Sequence, residues 1–290
     1  MDTIDKLLDQ VEVLPLSPSL LPRLLPMLTD VDSNFDEIVD MVALDPSLTA
    51  KLLQICNSAF FGAPTHVSDV RVAINQIGYQ SVYLLVAMIN GGECFQLPVA
   101  ACLDGKRLWE HSVTTAYGSK FVAESAGLEG SLLFTAGLLH DIGKVVLARM
   151  YGKDYALRRL RAGQTNTSPS ETEIKSYGYS HAEVGACLLE RWKLPDPLIA
   201  GVRFHHHPSG PGDSQRIAAG VCLGNILAHS REQPSAVNDP EFRSALALLN
   251  LADADVPRWQ ERLLEYRGLM ELMTRLPEQP ASSCTDPVCA

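Results

Sequence analysis

The chain has 290 residues, 46% of them hydrophobic, with a mean hydropathy of +0.04, enough to bury one large core or two smaller lobes. Thirty-four acidic residues against 24 basic ones leave a net charge of −10, which repels nucleic acid and anionic membrane surfaces, so neither is an expected partner. The first residues lack a signal-peptide layout and no apolar run approaches the ~20 residues of a spanning helix. With seven scattered cysteines and no CxxC spacing, the expected location is cytoplasmic.

Helical periodicity runs through the chain and strand alternation does not, so the expected fold is all-α. In "NFDEIVDMVALD", Asn34 and Glu37 form a capping box ahead of an apolar stripe through Phe35, Ile38, Val39 and Val42. "DPSLTAKLLQICNS" repeats the pattern: Asp45 caps, Pro46 opens the helix, and Leu48, Leu52 and Ile55 face inward. "SDVRVAINQIGYQSVYLLVAMI" gives one or two further helices, broken near Gly78. These elements form an amino-terminal helical lobe, residues 1–98.

A second helical lobe, residues 99–232, opens with "RLWEHSVTTAYGSKFVAESAG". There Leu108, His111, Thr115, Gly118 and Val122 share a face, and Gly127 closes the helix. In the helix carrying "GLLHDIGKVVLA", Leu133, Ala136, Gly137, His140, Asp141 and Lys144 lie on one broad face. Ala136 and Gly137 let a neighbouring helix come close. "ALRRLRAG" reads as a solvated helix face and "RAGQTNTSPSETE" as a polar loop. Ser180 and Glu183 make a capping box that sets His181 at a helix start. In "DPLIAGVRFHHHP", Leu198, Ile199, Val202, His205 and His206 face inward while His207 turns away. Ile217, Val221, Asn225 and Ala228 line up on the next helix. Residues 233–290 add two amphipathic helices and a polar tail of disordered composition with Cys284 and Cys289 as free thiols.

Five helices therefore each turn a polar group inward: His111; His140 with Asp141; His181; His205 with His206; and Asn225. Burying unpartnered imidazoles or a charge costs several kcal/mol, and neutral imidazoles with a carboxylate suit iron, manganese, zinc or nickel, less calcium; magnesium is a further candidate ion. His66 and His229 read as ordinary hydrogen-bonded histidines, and Glu183 as a cap.

"HDIGK", preceded by "WEHS" and followed by "SHAEVG" and "FHHHP", resembles the HD superfamily of metal-dependent phosphohydrolases. The stretches "LPLSPSLLPRLL" (Leu14 to Leu25), "IVDMVALDPSLTAKLLQICNSAFFG" (Ile38 to Gly62) and "VSDVRVAINQIGYQSVYLL" (Val67 to Leu85) make the chain similar to the HDOD (HD-related output domain) proteins of bacterial signalling. The resemblance runs from Leu14 to Ser230. It implies a two-lobed all-α fold with an HD-like helical bundle, and a regulatory module without turnover that acts on signalling proteins. It also implies metal-ligand roles for His111, His140, Asp141, His181, His205 and His206. Two departures weigh against catalysis: Asn225 stands where the superfamily places an aspartate, and "PSGPGD" follows the histidines in place of the glycine-tyrosine-proline signature of cyclic di-GMP phosphodiesterases.

Charge limits the metal. Asp141 is the one carboxylate among the matched positions, so one divalent ion or none is expected rather than two, with His111, His140 and Asp141 as its holders. Lys144 either pairs with Asp141 or, in a hydrolase, contacts a phosphate oxygen. The alternative function is a metal-dependent phosphohydrolase or phosphodiesterase acting on a nucleotide or cyclic dinucleotide, with a nucleotide or phosphate as ligand.

Overall fold

The computed structural model describes residues 2–10, 46–58, 67–78, 94–98, 101–165, 167–210, 212–230 and 239–273, with shorter pieces at 39, 42–43, 81–82, 84, 87–88, 92 and 237. Among these residues every regular element is helical, as the all-α reading requires. The box at Asn34 and Glu37 with Phe35 and Ile38, the cap at Asp45, the segment Leu14 to Leu25, the inward face of Leu48, His66 and the cysteines of the tail lie outside the described residues.

In the amino-terminal part, α1 (Asp2–Gln10) is followed by α2 (Pro46–Cys56) and α3 (Val70–Ile77). Pro46 opens α2, and Leu52 and Ile55 are buried. The Asn57 side chain staples the end of α2 to the approach of α3. Its Nδ2 donates to Leu53 O (2.8 Å) and Val67 O (2.7 Å), and its Oδ1 accepts from Val67 N (2.8 Å). Asp69 caps α3 and Gly78, at φ +77°, ends it. Helix α1 packs against helices of the second lobe. Arg191 holds it through Asp9 Oδ1 (2.8 Å) and Asp5 Oδ1 (3.1 Å).

The second lobe is built on α4 (Gly105–Ala126), capped by Asp104 and closed by Gly127 in the left-handed region. Then come α5 (Gly130–Leu139), α6 (Ile142–Tyr151), α7 (Lys153–Thr165), α8 (Pro169–Tyr177), α9 (His181–Arg191), α10 (Asp196–Arg203) and α11 (Asp213–Ser230). Helices α4, α5 and α11 pack tightly on one another. The Gly137 backbone lies so near α4 that a Cβ there would sit 3.0 Å from Ala116 Cα. One hydrophobic core runs through both lobes, with Phe95 and Trp109 meeting at 5.2 Å across the junction.

The carboxy-terminal helices α12 (Pro240–Leu248), α13 (Val256–Glu265) and α14 (Arg267–Met273) extend that core. Trp259 is fully buried and its Nε1 donates to Ser125 Oγ (3.0 Å), while Arg262 lies 3.8 Å over the Phe121 ring. Burying such a side chain is worth about 1.5–3 kcal/mol, so this segment belongs to the folded body.

Three expectations change. Helix α5 does not run through the His-Asp pair: it stops at Leu139, Asp141 takes φ −101° and ψ 9°, and α6 starts at Ile142. A continuous helix would set these two side chains about 100° apart; the break brings His140 Nε2 within 3.3 Å of Asp141 Oδ2. Residues 161–173 are largely helical, because Pro169 opens α8 and Gly178 closes it. His205 and His206 follow α10 rather than ride on it, since that helix ends at Arg203. By length and composition Gly130–Tyr151 also passes for a membrane span, but 94% of its most apolar window is buried in the protein, which leaves the expectation on spanning runs unchanged. The segment is the core strut that carries His140 and Asp141.

Candidate metal centre

Asp141 lies at the centre of the cluster because three helix ends meet there. The break between α5 and α6 projects it, the start of α9 delivers His181, and the turn after α10 delivers His205 and His206. Gly143 makes this approach possible. A Cβ at that position would collide with the His181 carbonyl oxygen and crowd Gly185 N at 2.8 Å, so only glycine lets α6 come this close to α9. The Ser180–Glu183 capping box then fixes where α9 begins.

The carboxylate of Asp141 is fully buried and its two oxygens face different groups. Oδ2 accepts from Lys144 Nζ at 2.6 Å, with His140 Nε2 at 3.3 Å and His111 Nε2 at 3.9 Å. Oδ1 faces His181 Nε2 at 3.4 Å and His205 Nε2 at 3.9 Å. His206 Nε2 lies 3.0 Å from His181 Nε2. Two triads thus flank one carboxylate. In each, His111–His140–Asp141 and His181–His205–His206, the potential ligand atoms lie within 4.8 Å of one another.

Hydrogen bonds behind the rings decide which nitrogen faces inward. The carbonyls of Gly137 and Val202 can only accept, so His140 and His205 each donate Nδ1–H to them (2.7 Å in both cases). That leaves the Nε2 lone pairs directed at Asp141. Within the cluster three buried atoms have no hydrogen-bond partner among the described residues: His140 Nε2, His205 Nε2 and Asp141 Oδ1. All three are acceptors pointing into one space, and a cation is the partner such a set suits. The donor set therefore fits a divalent metal ion, with Asp141 and the imidazoles as its holders.

Burial holds His111, His205 and His206 well below the usual histidine range, and the neighbouring imidazoles add to this: His140 for His111, His206 for His205, His181 for His206. At neutral pH these rings are uncharged. Burial alone would raise Asp141; the adjacent His140 and Lys144 outweigh it and keep the carboxyl well below the usual range. Burial lowers Lys144, and Asp141 works against that.

All seven anticipated positions meet here. Asn225 is buried and its Oδ1 accepts from His111 Nε2 (3.0 Å), so it engages one triad. The His229 ring lies tilted against His111 with ring centroids 4.5 Å apart, while His207 points outward beside Glu241 (3.5 Å). Glu183 caps α9 and takes no place at the centre.

One buried carboxylate was missed. Glu173, on α8, is 2% exposed. Its Oε2 accepts from His181 Nδ1 (2.6 Å) and from the His181 backbone N–H (2.7 Å), and its Oε1 accepts from Tyr155 Oη (2.7 Å). Burial pushes this carboxyl up, but the His181 imidazole and the three donors more than offset it. The signal available in the sequence was the second glutamate of "SPSETE", which reads as loop.

The HDOD domain family profile matches residues 14–208. A solved HDOD domain protein of unknown function from Geobacter sulfurreducens superposes with a TM-score of 0.76 at 24% identity, covering 94% of this chain and 96% of that one. A candidate signal transduction protein from Marinobacter aquaeolei VT8 superposes equally well at 22% identity, covering 93% of this chain and 61% of its own. Ribonuclease Y of Aquifex aeolicus is 29% identical over 121 residues, which is 42% of this chain and 16% of that protein. The chain spans less than half the length of the curated relatives it matches first.

Proposed function

The chain belongs to the HDOD family, and we propose that it is a non-catalytic signal-transduction module whose histidine–aspartate cluster is a partly degenerate metal site. The observation that carries this reading is the 2.6 Å contact of Lys144 Nζ with Asp141 Oδ2. The central carboxylate is charge-paired within the chain, and the position opposite it carries the neutral amide of Asn225. Among the described residues no further carboxylate faces the centre, because Glu173 is turned behind His181. A general base for hydrolysis is therefore lacking there. On this reading the cluster sets the stability and orientation of the two lobes (1–98 and 99–232), and the output passes through contacts with signalling proteins.

The test uses purified protein supplied with manganese, and cyclic di-GMP and nucleotides as substrates. No turnover above buffer is expected. Hydrolysis that disappears in folded Asp141→Asn would overturn the proposal.

A second reading, a phosphohydrolase acting on a nucleotide or cyclic dinucleotide, is favoured by one observation: Asp141, a member of one triad, also faces the other through Oδ1, an arrangement in which paired ions could clamp the attacking and leaving oxygens. Lys144 would then leave Asp141 to hold a phosphate oxygen. The same assay decides between the two.

A further inference from the structure

The two triads around Asp141 are not equivalent. In the first, the Asp141 oxygen facing His111 and His140 is already held by the Lys144 ammonium. His111 spends its Nε2–H on Asn225 Oδ1, because an amide oxygen only accepts. The atom that would bind an ion thus carries a proton, as His206 Nε2 does in its 3.0 Å contact with His181 Nε2, but its partner is a neutral amide rather than another ring of the cluster. In the second, both Asp141 Oδ1 and His205 Nε2 have no hydrogen bond, against His140 Nε2 in the first, and Asp141 Oδ1 lies 3.4 Å from His181 Nε2 and 3.9 Å from His205 Nε2.

Separations agree with this asymmetry. Four ligands with bonds near 2.1 Å stand about 3.0–3.4 Å apart around one ion. The second group gives 3.0 Å for His206 to His181, 3.4 Å for His181 to Asp141 Oδ1 and 3.9 Å for His205 to Asp141 Oδ1. Charge agrees as well. Lys144 cancels Asp141, which leaves nothing to balance an ion beside His111, whereas Glu173 brings a negative charge directly behind His181. By accepting His181 Nδ1–H it also fixes the tautomer and aims Nε2 inward.

We propose that the chain has one asymmetric metal seat, formed by His181, His205, His206 and Asp141 Oδ1, with Glu173 as its positioning residue. The His111–Asn225 and Lys144–Asp141 contacts close the other half. This rests on the reading of the cluster as a metal site. It departs from the expectation that His111, His140 and Asp141 hold the ion.

Cobalt(II) is the probe, followed by its visible absorption and by metal analysis of full-length protein, with far-UV circular dichroism to establish folding. Wild type should take up about one cobalt per chain. His206→Gln should weaken binding at least about tenfold, and Glu173→Gln by about 10–100-fold with altered band intensities. His111→Asn and Asn225→Ala should stay within about threefold of wild type with an unchanged spectrum. If His205→Ala fails to fold, the half-exposed His206 carries the test. Cobalt lost in folded His111→Asn but kept in His206→Gln would overturn the seat alone. Two tightly held ions would overturn it too. No cobalt at all would overturn both the seat and the metal-site reading beneath it.

Discussion

The two halves of the cluster share a carboxylate and differ in what surrounds it. Around His111 and His140 most polar groups satisfy one another, ammonium to carboxylate and imidazole to amide, and His140 Nε2 is the one acceptor left over. Around His205 two acceptors are left without a donor, and a carboxylate–tyrosine pair stands behind the third ring. Equal numbers of candidate ligands are therefore a poor guide to where a cation sits. What discriminates is whether the chain already supplies the counter-charge and the hydrogen-bond partner.

The largest expected effect breaks the satisfied half. Lys144→Met leaves Asp141 buried without its ammonium, and chemical denaturation of metal-free protein should register a loss of about 3–5 kcal/mol. Added cobalt should return part of it. A variant as stable as wild type would show that the pair contributes little and that the halves are alike.

Acidification comes next. His111, His205 and His206 are held neutral in the fold, whereas in the unfolded chain histidines take up protons from about pH 6.5 downward. The unfolded state then binds more protons, so stability falls as pH falls. Between pH 7.5 and 5.5, chelator-treated protein should lose about 2–4 kcal/mol, read from denaturation midpoints. His111→Asn should remove about a third of that slope and His205→Asn another third. A flat profile would mean that the rings titrate normally.

Gly143→Ala tests the approach both halves depend on. Pushing α6 away from the His181 carbonyl should cost about 1–3 kcal/mol and weaken cobalt binding in protein that still folds. Unchanged affinity would separate the glycine from the site. The smallest effect sharpens the comparison: Asn225→Asp restores an anion beside His111 and should open the first half to a second, weaker ion. Titration should show about a tenfold gain there, equivalent to ~1.4 kcal/mol. No second ion would mean that Lys144 alone keeps that half closed.

Local chemistry made much of this legible. The Ser180–Glu183 box, the stop at Gly127 and the break at Gly78 are set by neighbouring residues and appear where the sequence puts them. The inward histidines were legible because they interrupt apolar faces. The break at Asp141 was not, since apolar periodicity continues through it and the backbone turns for tertiary reasons. Helix α8 was hidden by its composition: "PSETEIKSY" has no apolar stripe, and what holds it is the buried bonding of Glu173 to Tyr155 and His181. Position 173 thus shows its role only once α7, α8 and α9 are assembled.

The strap at the start of the chain ends up mechanically coupled to the centre. Arg191 is the last residue of α9 and His181 the first, about 15 Å apart along one rod. Asp5 and Asp9 grip the far end through surface ion pairs with side chains from 35% to 70% exposed, contacts worth at most about 1 kcal/mol. The grip is not ionic alone, because Leu7 and Leu8 of α1 and Leu188 and Leu189 of α9 are buried in the common core; salt screens the charged contacts and leaves the apolar ones in place.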